Sequence, residues 1–178
     1  MPSRYHERMT DLDEFRARKD EYFRLEGPLT EAQRASFHGL RYYPERSDLA
    51  YRLTPEVVAD PEIVEMQTST GHLAMYTRWA RVHFEVGGQS AALTIYRDTT
   101  MGDLFLPFQD ANAGGDTYGA GRYLDVHFLD DGRLLIDFNY AYNPYCAYND
   151  GWSCPLPPPE NHLEVAIEAG EMTWEDGH

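Results

Sequence analysis

From residue 40 onward, apolar and polar residues alternate with a period of two, and Gly, Asn and Asp repeatedly interrupt the alternation. Period-two alternation is typical of half-buried β-strands, and the interrupting residues favour tight turns. The stretches between successive runs are too short for crossover helices, so neighbouring strands should run antiparallel. The pattern predicts an all-β fold, a mostly antiparallel barrel or sandwich of about seven to nine strands. The predicted strands are 51–53, 62–68, 72–78, 81–86, 91–97, 104–108, 123–128, 134–139 and 163–169.

Residues 10–37 lack this alternation and have a helical pattern instead. Within this segment, Thr30 followed by Gln33 has the form of a capping box, which marks the start of a helix. We therefore predict a single domain, residues 1–178, in which a helical arm at 10–37 packs across a β domain at 40–178.

The chain is acidic, with 30 Asp and Glu residues against 15 Lys and Arg residues and a net charge of −15. This charge repels nucleic acids and anionic membrane surfaces, so we expect neither as a partner. No apolar run approaches the length of a membrane span, and the first residues are charged, unlike the apolar stretch of a signal peptide. We expect a cytoplasmic protein and leave its oligomeric state open.

The segment 123–139 predicts a β-hairpin whose register follows from its apolar residues. Apolar side chains alternate at 124, 126 and 128 on one strand and at 134, 136 and 138 on the next. Both sets share one face only if Phe128 lies opposite Leu134. That pairing requires a short loop at 130–132, with Gly132 in the left-handed conformation.

The same register places Asp125 directly opposite Asp137 on the other face, where paired Cβ atoms lie about 4.5–5.5 Å apart. Two carboxylates so close can extend into water, share a proton, or hold a cation or an arginine between them. If the face is solvated, the pair has no special role. If the face lines a cavity, the aspartates are candidates for acid–base catalysis, or for metal binding with His127 as a nitrogen ligand.

Two cysteines flank a loop that follows this hairpin. Seven residues separate Cys146 from Cys154, whereas the paired ligands of a zinc knuckle are separated by roughly two to four. A disulfide and two buried free thiols both remain open, with the thiols favoured in a reducing compartment. A nucleophilic Cys146 would need an adjacent histidine or a lowered pKa, and the sequence shows neither.

Three sequence blocks carry a resemblance to a known family. They are Thr117-Tyr-Gly-Ala-Gly-Arg-Tyr-Leu-Asp125, Asp137-Phe-Asn-Tyr-Ala-Tyr-Asn-Pro-Tyr-Cys-Ala-Tyr148 and Cys154-Pro-Leu-Pro-Pro-Pro-Glu-Asn161. With these blocks the chain resembles a family of bacterial and archaeal proteins classed as a domain of unknown function. The resemblance implies a compact domain of soluble, mostly cytoplasmic proteins, and it implies no catalytic role for any residue.

The leading functional hypothesis is a small-molecule binding domain with a polar cavity lined by tyrosines and aspartates, without a cofactor or a bound metal. The alternative is a hydrolase-type enzyme that uses Asp125 and Asp137 as its acid–base pair, with or without a metal. A third hypothesis is an interaction protein that docks a partner on the proline segment, residues 155–159. The predicted ligand-binding residues are Tyr118, Arg122, Tyr123, Asn139, Tyr142, Asn143, Cys146 and Glu160.

Overall fold

The computed structural model describes residues 10–174, which form two compact units divided between Leu40 and Arg41. The described part of the first unit, residues 10–40, contains two helices, α1 (Asp11–Leu25) and α2 (Glu31–Ala35), within the segment predicted to be helical. At both helix starts a threonine hydroxyl accepts a hydrogen bond from the main-chain N–H three residues on. The side chain of that third residue accepts one from the threonine N–H. No helix among the described residues is long and apolar enough to cross a membrane.

The part of the second unit that the structure describes contains nine strands. They are β1 (Ala50–Leu53), β2 (Glu56–Val57), β3 (Ile63–Gln67), β4 (Leu73–Val86), β5 (Gln89–Asp98), β6 (Leu104–Phe108), β7 (Arg122–Leu124), β8 (His127–Phe128) and β9 (Leu134–Asp137). The smaller sheet has the order β1-β9-β8. The larger has the order β2-β4-β5-β6-β7, with β3 also paired to β4. Every strand pair is antiparallel, as the sequence predicts, and within residues 41–174 neither sheet closes into a barrel.

The main hydrophobic core contains side chains from both sheets. Ile136 of the smaller sheet and Ile95 and Phe108 of the larger sheet belong to one cluster and are fully buried. Phe138, which follows β9, lies with its ring centroid 5.5 Å from that of Phe84 and 5.3 Å from that of Phe108. A core shared by two open sheets is typical of a sandwich-like arrangement.

β4 is one continuous strand where the sequence predicts two, 72–78 and 81–86. Its register with β5 shifts between Arg78 and Ala80, which leaves Trp79 without a partner residue on β5. Such a β-bulge moves the following side chains to the opposite face, because one extra residue changes the alternation. Residues 78–81 contain no turn residue and the pairing with β5 resumes at Ala80, so the predicted break is wrong.

The predicted hairpin is confirmed next to its turn. His127 pairs with Leu135 and Phe128 pairs with Leu134, which is the predicted register. Gly132 has a φ of +85°, the left-handed conformation that the short loop requires.

The predicted pairing of Asp125 with Asp137 is wrong, because the chain changes sheets after Leu124. That residue pairs within the larger sheet, whereas Asp137 pairs with Ala50 in the smaller one. Leu124 is 3% exposed and Phe128 is 59% exposed, so the apolar residues that fixed the predicted register do not all share a buried face. The ladder between the two strands therefore ends before it reaches Asp125.

Residues 163–169 form no strand, although Val165, Ile167 and Ala169 alternate into the core as the sequence predicts. Two main-chain bonds join this segment to the residues just after β6, from the N–H of Leu163 to the carbonyl of Gln109 at 2.7 Å and from the N–H of Ala111 to the carbonyl of Val165 at 3.0 Å, and side chains supply the other partners. The Asp110 carboxylate accepts a hydrogen bond from the N–H of Ile167 at 2.8 Å, and the Arg122 guanidinium donates to the carbonyls of Ile167 and Ala169. The alternation therefore predicted which side chains are buried, but it did not predict the hydrogen-bond partners of the main chain.

The proline segment contacts the end of β3. Pro155 forms an isolated bridge with Thr68, and the N–H of Leu156 donates to the carbonyl of Gln67 at 2.7 Å. The hydroxyl of Tyr123 donates to the carbonyl of Pro155. These contacts place the first part of the segment against the larger sheet.

A substitution at Gly121 can test how closely the chain packs just before β7. Its φ is +98°, and a Cβ there would lie 2.7 Å from the carbonyl oxygen of Phe108 and 2.7 Å from Cγ of Pro157. We expect Gly121→Ala to lower the free energy of unfolding by more than about 2 kcal/mol, from left-handed strain and steric overlap together.

Gly132→Ala is the matched control, since that φ is also positive and nothing lies within 4 Å of the added Cβ. We expect it to cost about 1 kcal/mol. Urea unfolding of both variants measures the difference, and equal losses would contradict the close packing at Gly121.

Candidate functional site

A groove with a volume of about 540 Å³ lies beside the start of β5. It is lined by Arg81, by residues 89–92, by Glu160 and by residues 162–165. Small-molecule sites have volumes of roughly 300–1,000 Å³, so the groove is large enough for an organic ligand. Of the predicted binding residues, Glu160 contributes to its lining.

Arg81 is the half-buried cation of this groove. Its Nη1 donates to the hydroxyl of Thr94 at 2.8 Å, and Thr94 is 3% exposed. Glu56 pairs with Arg81 in the ladder between β2 and β4, but its carboxylate lies 3.2 Å from Nε2 of His83. Within residues 10–174, Arg81 forms no ion pair with a carboxylate. A guanidinium has five N–H donors, so Arg81 retains donors for a ligand.

Glu160 is held by two side chains of the larger sheet. Its carboxylate accepts hydrogen bonds from Nε of Arg78 at 2.9 Å and from the hydroxyl of Tyr96. Burial and the neighbouring carboxylate raise the pKa of Tyr96, so its hydroxyl keeps its proton and donates. Because the Arg78 guanidinium forms an ion pair with Glu160, the negative charge of this carboxylate is partly neutralised inside the groove.

Arg122, a predicted binding residue, is 1% exposed and bonded to the main chain. Its guanidinium donates to the carbonyls of Ile167, Ala169 and Glu171, and its Nη2 lies 3.7 Å from the carboxylate of Asp110. Burial lowers the pKa of Arg122, and the nearby Asp110 carboxylate opposes that shift. The structure thus places Arg122 in the interior, where it ties β7 to the segment that follows the proline segment.

Asn139 and Asp137 shape the chain at the end of β9. The Asp137 carboxylate accepts hydrogen bonds from the main-chain N–H and the Nδ2 of Asn139, at 3.0 and 2.9 Å. The amide of Asn139 also pairs with the N–H and carbonyl of Arg46, both at 2.8 Å. Asp137 therefore caps the short helix Phe138–Tyr140.

Asn143 is 2% exposed and lies beside a buried carboxylate. Its Nδ2 donates to the carbonyl of Met172 at 3.1 Å, and its main-chain N–H donates to the carboxylate of Glu171 at 3.3 Å. The hydroxyl of Tyr148 donates to the same carboxylate. Glu171, which sequence reasoning missed, is 1% exposed, and only the tertiary structure reveals its burial.

Two buried cysteines lie together with a tyrosine and a serine, and we call Cys146, Cys154, Tyr118 and Ser69 the thiol cluster. Both cysteines are free thiols, as favoured from the sequence, and both are buried. The hydroxyl of Tyr118 lies 3.7 Å from Sγ of Cys146. The main chains of Ser69 and Cys154 are joined by an N–H to carbonyl bond of 2.9 Å, and the N–H of Cys154 donates to Oγ of Ser69 at 3.0 Å.

The surroundings of the two cysteines shift their thiol pKa values in opposite directions. The neighbouring Cys154 thiol lowers the pKa of the Cys146 thiol, the Tyr118 hydroxyl adds to this shift, and burial opposes it. The same contact with Cys146, together with burial, raises the pKa of Cys154. The lowered pKa that the sequence did not show thus comes in part from Tyr118, which lies 28 residues before Cys146 in the chain.

Three further predicted residues, Tyr123, Tyr142 and Asp125, are joined by contacts with one another. Tyr123 and Tyr142 have ring centroids 5.9 Å apart, and the Tyr142 hydroxyl donates to the Asp125 carboxylate at 3.0 Å. Burial raises the pKa of Tyr123, and the charges of Cys154 and Cys146 add to the shift. The structure therefore places Tyr123 next to Tyr142, and Tyr118 next to Cys146. Asp125 and Asp137 accept hydrogen bonds from different residues, Tyr142 and Asn139.

His127 is exposed on β8. Within residues 10–174, no group of three or more His, Cys, Asp or Glu side chains is arranged to hold a metal ion. Catalytic roles for Asp125 and Asp137 stay predictions.

A family model described as "Protein of unknown function (DUF1684)" matches residues 35–172. This match covers more than half of the chain, and the chain belongs to this family. The predicted membership of a family of unknown function is thereby confirmed.

The chain is also similar to the uncharacterized protein from gene locus rrnAC0354 of Haloarcula marismortui, whose structure was solved by solution NMR. The two share 36% identity with a TM-score of 0.69, over 97% of this chain and 98% of that chain. No curated protein matches the chain. The comparisons thus give the family and the fold, and any function must be argued from the residues.

Removing the buried guanidinium tests its structural role. Arg122→Met leaves three main-chain carbonyls unsatisfied and the carboxylate of Asp110 buried without its cation. We expect a loss of about 3–5 kcal/mol in the free energy of unfolding. The control is Arg133→Met, which removes an exposed ion pair with Asp131 and should leave stability unchanged in the same urea titration. Similar stability of the two variants would contradict the role assigned to Arg122.

Proposed function

We propose that the chain is a small-molecule binding domain whose ligand carries a carboxylate that Arg81 binds in the groove. One observation carries the proposal: a half-buried guanidinium is held from behind by the buried hydroxyl of Thr94, and within residues 10–174 no carboxylate pairs with it. In a chain with twice as many acidic as basic residues, an arginine left in this state is available to an external anion.

The remaining lining defines the rest of the ligand. Ala91, Ala92, Leu163 and Val165 give the groove apolar contacts for a hydrocarbon group. Ser90 and His162 add polar groups; Nε2 of His162 is already 2.9 Å from the carbonyl of Pro157. The groove therefore suits a small organic acid with an apolar body.

Charge limits how anionic this ligand can be. Glu164 contributes to the lining, and the whole chain has a net charge of −15. A single carboxylate gains the guanidinium contact, whereas several phosphates would meet this repulsion as well. We therefore place monocarboxylates ahead of nucleotides as ligands.

The test compares a carboxylate with its neutral analogue. Backbone amide NMR shifts would be followed on addition of benzoate or benzamide, at concentrations up to about 10 mM. We expect benzoate to shift residues 89–92 and 162–165 and benzamide to do so far less. Arg81→Gln should weaken benzoate binding about 10-fold or more, since hydrogen bonds to charged groups contribute about 1.5–3 kcal/mol.

Arg133→Gln is the matched variant, because it removes one arginine that does not line the groove. It should bind benzoate like the unmodified chain. Binding that is equally weak for benzoate and benzamide, or unchanged in Arg81→Gln, would overturn the proposal.

A further inference from the structure

We propose that the outer edge of β3 binds a basic, extended peptide of another protein, which adds to the larger sheet as one more strand. This binding surface is separate from the groove, since residues 62–67 do not line it. The proposal rests on the outward main-chain groups of β3, on a segment of the chain that already docks at one end of the same edge, and on the charge of that edge.

The main-chain groups of Ile63 and Glu65 point away from β4. In an antiparallel ladder, successive residues direct their N–H and carbonyl groups alternately to the two sides of the strand. Gln67 uses the outer side, because its carbonyl accepts a hydrogen bond from the N–H of Leu156 at 2.7 Å. The same alternation turns the groups of Glu65 and Ile63 outward. Within residues 10–174, no main-chain bond reaches them on that side.

The proline segment shows that this edge accepts an antiparallel strand. Pro155 lies opposite Thr68 in an antiparallel bridge, and the N–H of Ser69 donates to the carbonyl of Cys154 at 2.9 Å. In the part of the chain that the structure describes, the docked segment pairs no further along β3, so positions 63–66 stay open on their outer side. A peptide can therefore extend the pairing that the chain itself begins.

Exposed apolar side chains accompany the open edge. Met75 of β4 pairs with Glu65, and Leu73 pairs with Gln67, so these side chains share one face of the sheet with Ile63. Ile63, Leu73 and Met75 are all exposed. An added strand with an apolar residue opposite Ile63 would cover part of this surface, because directly opposed side chains on one face contact each other.

The charge of the edge determines the kind of partner. Residues 53–77 contain four acidic residues, Glu56, Asp60, Glu62 and Glu65, and no lysine or arginine. Opposite charges on facing strands stabilise their pairing, whereas like charges destabilise it. A lysine or arginine opposite Glu65 gains this attraction, whereas a second copy of the chain brings a further net charge of −15 to the same edge. We therefore assign the edge to a basic peptide.

The experiment adds the peptide acetyl-Gly-Thr-Lys-Val-Val-Lys-Gly-amide to the isotope-labelled full chain and follows its amide NMR resonances. Antiparallel pairing places the first lysine opposite Glu65 and the second valine opposite Ile63. We expect saturable shifts at residues 62–66, with a Kd below about 1 mM. Shifts that do not saturate, or that lie elsewhere on the chain, would overturn the proposal.

Hydrogen exchange of single amides distinguishes an added strand from loose contact. The amides of Ile63 and Glu65 gain a partner in the complex, so their exchange should slow by about 10-fold or more. The amides of Val64 and Met66 already point toward β4 and should change little. Equal slowing at all four positions would contradict strand addition.

Two altered peptides separate charge from main-chain pairing, and they leave the chain itself unchanged. Glutamate in place of both lysines should weaken binding by about 10-fold or more, since like charges then face each other. N-methylation of the first lysine and the second valine keeps the charge but removes the donors to the carbonyls of Glu65 and Ile63, so it should abolish binding. Binding that survives N-methylation would overturn the proposal.

Glu65→Lys reverses the charge of the edge. It should weaken binding of the lysine peptide and strengthen binding of the glutamate peptide. Glu85→Lys is the matched variant, because Glu85 is an exposed residue of β4 that lies at the opposite end of the strand from β3. It should bind both peptides like the unmodified chain, and equal effects of the two variants would contradict an edge-specific contact.

Sedimentation of the chain without peptide tests the other occupant. We expect a species in which the amides of Ile63 and Glu65 exchange fast. A dimer in which both amides are already protected would assign the edge to a second copy and overturn the peptide proposal. Benzoate binding to Arg81 is measured separately, so failure here leaves the groove proposal unaffected.

Discussion

The buried ion pair between Asp110 and Arg122 joins the loop after β6 and the start of β7 to the irregular segment 163–171, which makes only a few isolated main-chain bonds with its neighbours. The carboxylate accepts hydrogen bonds from the hydroxyl of Thr117 at 2.6 Å and from the N–H of Ile167 at 2.8 Å. The guanidinium meets the carbonyls of the same irregular segment. Residues 162–165, at the start of that segment, form one wall of the groove, so the shape of the candidate ligand site depends on this interior pair.

Asn161 is a second buried side chain that hydrogen bonds to main-chain groups distant in the sequence. Asn161 is fully buried, and its amide bonds to both the N–H and the carbonyl of Thr94 and to the carbonyl of Pro107, each at 2.8 Å. These main-chain groups lie on β5 and β6 beyond the two residue pairs that join those strands. Polar side chains therefore replace strand-to-strand hydrogen bonds, since buried main-chain groups must find partners.

Sequence reasoning was accurate where the main chain itself makes the bonds and inaccurate where side chains do. Alternation found most strands, the antiparallel pairing and the turn at Gly132, because local periodicity reports which face is buried. It missed the change of sheets after Leu124, and it missed the irregular state of 163–169, whose main chain is bonded in part by Arg122 and Asp110 from distant positions in the chain. For the candidate sites, the sequence located Glu160 and Cys146 but not Arg81 or Ser69, which belong to them only through tertiary contacts.

The proline segment has a consequence for the sheet beside it. β3 pairs on one side with β4, and its other side would present free N–H and carbonyl groups to solvent. Pro155 and Leu156 occupy that side at Gln67 and Thr68, and the prolines that follow have no N–H with which to recruit a further strand. The segment therefore protects the end of this sheet edge from pairing with another copy of the chain, a hazard that open sheets otherwise carry.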